Sequence, residues 1–95
     1  MSELDARISQ LLDSPDRDPD SIDRALTDGF AQVLTLETER LRLERRLSDA
    51  VLRLRPADGA AQTDELSALA SQLSGNAGEL GELRGRLGRL RRLRA

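Results

Sequence analysis

The chain has 95 residues and a mass of 10.5 kDa, which limits it to one small domain. Leucine supplies 19 residues and alanine 11, whereas valine and isoleucine together supply four and Phe30 is the one aromatic side chain. This inventory favours helix over strand and predicts an all-α fold built from long, thin apolar seams rather than a thick core.

Reactive groups are as sparse as aromatic ones: the chain has no His, Cys, Lys, Tyr or Trp. It therefore has no disulfide framework, thiol nucleophile, imidazole base, Schiff-base lysine or zinc-thiolate site. Neither a metal nor a cofactor is expected, and catalysis has little to stand on. The acidic stretch Asp13–Asp20 resembles a calcium loop only superficially, because it holds two prolines and lacks the closing Glu. A Walker-type phosphate loop needs a lysine. No apolar run approaches the length of a membrane span, and no N-terminal segment reads as a secretory signal, so the expected location is the cytoplasm. Arginine in place of lysine throughout points to a GC-rich, bacterial-type genome.

The net charge of −2 conceals a gradient. Residues 1–28 carry eight acids and three arginines, residues 29–65 seven acids and six arginines, and residues 66–95 two acids and six arginines. The chain thus runs from acidic to basic.

Punctuation separates three elements. Residues 1–17 read as a short helix, Ser2–Leu12, followed by a Pro/Asp-rich turn. Ser2 is its cap, Leu4, Ile8 and Leu11 share one face, and Pro15 stops it. Residues 18–95 read as a helical hairpin. Asp18 and Pro19 suit the N-cap and first position of a helix over about 19–55, which Pro56 ends. A turn spans 56–62, and Thr63 caps a last helix over about 63–94.

The two long helices carry the strongest pattern. Ile22, Leu26, Gly29, Val33, Leu36, Arg40, Leu43, Leu47, Ala50 and Leu54 follow 4,3 spacing. Leu66, Leu69, Leu73, Asn76, Leu80, Leu83, Leu87, Leu90 and Arg94 follow 3,4 spacing. Such seams define an antiparallel coiled coil when the chain folds back on itself. Facing residues are expected to have numbers summing to about 120, so that Val33 meets Leu87 and Leu36 meets Leu83. In that alignment Asp28 falls near Arg92, Glu37 near Arg84, and Arg40 near Glu79 or Glu82. Arg40 and Asn76, polar at seam positions, are expected to set the register.

Outside its seam the second helix carries another apolar row of Phe30, Leu34 and Leu41, with Val51 and Leu52 nearby. The short first helix reaches only one end of that row, so the rest requires another chain. A homodimer forming a four-helix bundle is the expected solution, with a monomeric three-helix arrangement as the alternative. Gly75, Gly78, Gly81, Gly85 and Gly88 each weaken the last helix by about 1 kcal/mol relative to alanine. They mark either a weak, looped stretch or a surface that another helix approaches closely.

The leading functional expectation is a non-catalytic interaction module, an adaptor or small regulator. It self-associates and binds a partner helix through Phe30, Leu34, Leu41, Gly81, Gly85 and Gly88. The alternative is a regulator that binds nucleic acid or an anionic nucleotide through Arg84, Arg86, Arg89, Arg91, Arg92 and Arg94. No aromatic interleaves those arginines for base stacking, and cations at a helix C-terminus also have a structural use. A structural or filament-forming role is third. In size and format the chain resembles small bacterial adaptor, secretion-substrate and anti-sigma-type regulators. Where the small secreted hairpin family has a Trp-x-Gly turn, this sequence reads Arg55-Pro56-Ala57-Asp58-Gly59.

Overall fold

In the computed structural model of the chain, residues 3–13, 18–54 and 59–94 are described. They form three α-helices and no strand: α1 (Glu3–Asp13), α2 (Pro19–Arg53) and α3 (Ala60–Arg94). The expected cap Ser2, the stop at Pro15 and the turn residues Pro56, Ala57 and Asp58 lie outside the described residues.

The start of α2 follows from its sequence. The Asp18 carboxylate accepts hydrogen bonds from the Asp20 amide (3.3 Å) and the Ser21 hydroxyl (3.0 Å), and Pro19 fills a position whose N–H would have no partner. The helix ends at Arg53, two residues earlier than expected. Leu54 turns extended, and its N–H bonds the Val51 carbonyl at 3.1 Å. By contrast α3 begins at Ala60, so Thr63 sits inside the helix rather than capping it. The bond from the Gln62 amide to the Gly59 carbonyl (3.2 Å) supplies the first turn instead.

The expected seams are the buried faces. Ile22, Gly29, Val33, Leu36, Leu43 and Ala50 are buried on α2, and Leu69, Asn76, Leu80, Leu83, Leu87 and Leu90 are buried on α3. The two helices run side by side in opposite directions, as cross-contacts from Asp23 to Arg94 and from Leu36 to Asn76 require. Each is 35 residues long, about 52 Å at 1.5 Å per residue, within a molecule measuring 62 × 18 × 17 Å.

The register differs from the sequence expectation by about one helical turn. Leu87 lies over Gly29, so the facing numbers there sum to 116 rather than 120, and Val33 is buried in the same cluster as Leu87. Gly29 decides this alignment. A Cβ there would lie 2.3 Å from Leu87 Cδ2, so any other residue would require the buried leucine side chain to shift. The other helical glycines differ: Gly75, Gly78, Gly81, Gly85 and Gly88 face open space, yet α3 passes through all of them without a loop.

Two apolar clusters result. The larger joins Ile8 of α1 to Ile22, Ala25, Val33 and Leu36 of α2 and to Leu80, Leu83, Leu87 and Leu90 of α3. Leu4, Leu11, Leu12, Leu26 and Leu93 pack around it, which places α1 in the same core as the long helices. The smaller cluster holds Leu43, Ala50 and Leu69, flanked by Leu47, Leu66 and Leu73. Where α1 is present the bundle has three helices; beyond it there are two.

Apolar packing through Ile8 seats α1, and ion pairs accompany it. Arg7 pairs with Asp28, and Arg86 approaches Asp5 at 3.5 Å. These contacts hold α1 against the side of the pair that carries Ala25 and Arg86. The expectation that α1 covers part of the Phe30 row is therefore corrected, because Phe30 stays exposed. Asp28 also turns to Arg7 of α1 instead of Arg92.

The contrast between glycines has a direct consequence for stability. Gly29→Ala forces Leu87, itself buried, out of its place and is expected to destabilise the fold by about 1–3 kcal/mol. Gly75→Ala meets nothing and is expected to stabilise it by about 1 kcal/mol. Urea unfolding midpoints of the two variants measure both effects.

Candidate interaction face

Glu37 of α2 pairs with Arg84 of α3 across the side of the helix pair that faces away from α1. Residues on α2 in line with Glu37, at 3,4 spacing, are Asp20, Asp23, Thr27, Phe30, Leu34 and Leu41. Residues on α3 in line with Arg84 are Ser67, Ala70, Ser74, Ala77, Gly81, Gly88 and Arg91. One face thus sets a row of large apolar side chains beside a row of small ones.

The large row is open to solvent. Phe30 is 45% exposed, and Leu34 and Leu41 are each 65% exposed. Beyond the polar Glu44, Arg45 and Ser48, Val51 and Leu52 are also exposed near the far end of α2. Neighbouring hydroxyls do not offset this apolar character with free polar groups. Thr27, Thr35 and Thr38 donate to the Asp23, Ala31 and Leu34 carbonyls at 3.0, 3.2 and 2.9 Å, turning their hydrogen bonds into α2 itself. Gly81 and Gly85 are exposed and Gly88 is half-buried, all on the outside of α3.

Half of the C-terminal arginines are engaged within the chain. Arg84 meets Glu37, Arg86 meets Asp5, and Arg94 Nε donates to Asp23 Oδ1 at 2.8 Å. The Asp23 hydrogen bond and charge, with a contribution from Asp20, hold the Arg94 guanidinium above its ordinary pKa. Arg89, Arg91 and Arg92 are exposed and make no ion pair among the described residues. The acidic start of α2 therefore does lie beside the basic end of α3, as the charge gradient implies.

The polar seam residues part company. Asn76 is 5% exposed, and its Nδ2 donates to the Leu36 carbonyl at 3.0 Å, while its Oδ1 is buried without a hydrogen-bond partner. Arg40 stays exposed and pairs with Glu44 at 3.0 Å on its own helix, not with Glu79 or Glu82. The shifted register explains this: Arg40 falls level with Asn76, and Glu79 and Glu82 lie one to two turns further along α3. Those two acids instead border a shallow recess with Asp5, Gln32 and Arg86 at the end of α1. Among the described residues no cluster of acids is arranged to hold a metal ion, and no helix is long and apolar enough to cross a membrane.

Comparison with known proteins finds no family, no curated protein and no solved structure that matches this chain.

A buried amide oxygen without a partner is costly, and a polar residue in a leucine seam trades stability for alignment. Asn76→Leu is expected to raise the unfolding free energy by about 1–2 kcal/mol, read from chemical denaturation.

Proposed function

We propose that this protein is a non-catalytic helical interaction module. In this reading α2 and α3 form an antiparallel coiled-coil hairpin, α1 braces one end, and the opposite face binds other helices, including those of its own kind. The observation that carries the reading is the row of Phe30, Leu34 and Leu41, crossed by the Arg84-paired Glu37 and exposed on a 35-residue helix whose own seam is already filled. A row at helical spacing on a rod is suited to receive a helix laid along it. The poverty of nucleophiles, bases and metal ligands in the sequence supports a binding role over a catalytic one. We place such a module in the cytoplasm of a bacterial-type cell, as an adaptor or small regulator.

The arginine-rich end of α3 supports a structural role more than nucleic-acid binding, since Arg84, Arg86 and Arg94 are occupied by carboxylates of the same chain. Binding through phosphates would fall steeply with added salt, whereas apolar helix packing would persist.

Leu34→Glu combined with Leu41→Glu tests the module. Both side chains are mostly exposed, so each substitution is expected to change folding stability by no more than about 0.5 kcal/mol. Circular dichroism and the unfolding midpoint should stay as in the wild type, while association with helical partners, measured by equilibrium binding, is lost. Retained association would overturn the assignment of this face.

A further inference from the structure

Resting on the interaction-module reading, we infer that the occupant of this face is a second copy of the chain, related by a twofold axis parallel to the long helices, with α2 of each copy lying on α3 of the other.

Three features of the face select this occupant. The first is shape at matched height. A twofold along the rod keeps every residue at its own level, so the register that places Leu87 opposite Gly29 also governs what meets across the interface. Phe30 then falls between Gly85 and Gly88 of the partner copy's α3, Leu34 falls at Gly81, and Leu41 at Ser74. Each large apolar side chain meets a residue with little or no side chain. Within one chain those glycines have open space around the position of a Cβ, so its own packing does not call for them.

The second feature is charge. The apolar row of α2 ends in Asp20 and Asp23, and the small row of α3 ends in Arg91, with Arg92 beside it. These groups lie at the same level of the rod; Asp23 is already paired with Arg94, whereas Arg91 and Arg92 have no ion pair among the described residues. Antiparallel contact of α2 with a neighbouring α3 brings them together twice, once on each side of the twofold axis, at the end of the rod where α2 begins. A twofold perpendicular to the rod would instead lay α2 on α2, setting leucine against leucine and leaving the arginines away from the acids.

The third is area. A face running from Asp20 to Leu52 is about 48 Å long at 1.5 Å per residue, on a molecule 17–18 Å across. That is about 800 Å² per copy, the usual size of a stable interface. The arrangement leaves both α1 helices on the outer sides, where they obstruct nothing, and the product is a four-helix bundle.

The chain contains no cysteine, so engineered thiols report geometry without background. Sedimentation equilibrium of the wild-type chain should give twice the monomer mass at micromolar concentration. The double variant Leu34→Cys with Gly81→Cys should form a disulfide-linked dimer on mild oxidation, whereas Leu34→Cys with Leu41→Cys should not. Gly81→Gln should favour the helix of the isolated chain, read as unchanged or higher helicity by circular dichroism, and weaken self-association at least tenfold. A dimer that crosslinks through Leu34→Cys with Leu41→Cys, or through neither pair, would overturn the α2-on-α3 arrangement. A monomer mass up to several hundred micromolar would overturn the second copy as occupant; the glutamate variants at Leu34 and Leu41 would then decide separately whether the face binds any helix.

Discussion

The contact of Leu87 with Gly29 sets the alignment on which the other features depend. Leucine seams attract one another in several registers, since each slip of a turn still sets apolar residues against apolar residues. Gly29 is the position where the seam of α2 has no side chain, and Leu87 is the residue that fills the space. With that pair locked, Asn76 comes within reach of the Leu36 carbonyl, Glu37 meets Arg84, and Asp23 meets Arg94. The ion pairs are exposed and add little binding energy of their own. They fit the register without being able to choose it.

Stability is distributed unevenly along the rod. At one end α1 brings Ile8, Leu4, Leu11 and Leu12 onto the two long helices and makes a shared core from nine buried side chains. At the other end three buried residues, Leu43, Ala50 and Leu69, hold the pair with help from Leu47, Leu66 and Leu73. Between them lies the layer of Arg40 and Asn76, where the seam is polar and an amide oxygen is left without a partner. The interaction face proposed above spans both regions, so an occupant would brace the thin end as α1 braces the thick one.

Much of this was legible in the sequence, for identifiable reasons. The 4,3 and 3,4 leucine spacings named nearly every buried residue of α2 and α3, because a narrow seam leaves few other places for large side chains. The Asp18–Pro19 start was legible because capping is local chemistry. The register was not, since a sum of 120 and a sum of 116 both satisfy the leucines and the Glu37–Arg84 pair. What separates them is the absence of a side chain at Gly29, which composition and charge do not weigh. The seat of α1 was also hidden. It packs on Ala25 rather than on the more conspicuous Phe30 row, because a small residue lets its leucines approach the seam. Arg40 and Asn76 looked like a pair in the sequence, yet one is half in solvent and the other enclosed, a difference that follows from the length of an arginine side chain.

The break between the two apolar clusters has a dynamic consequence. Because the polar layer interrupts the seam, fraying of the helix ends next to the connection, near Leu54 and Gly59, need not propagate past Asn76 into the α1-bound end. Backbone amides around Leu43–Ala50 and Leu66–Leu73 then exchange with solvent through this partial opening. Those around Val33–Leu36 and Leu80–Leu87 are expected to be better protected, because they belong to the three-helix core.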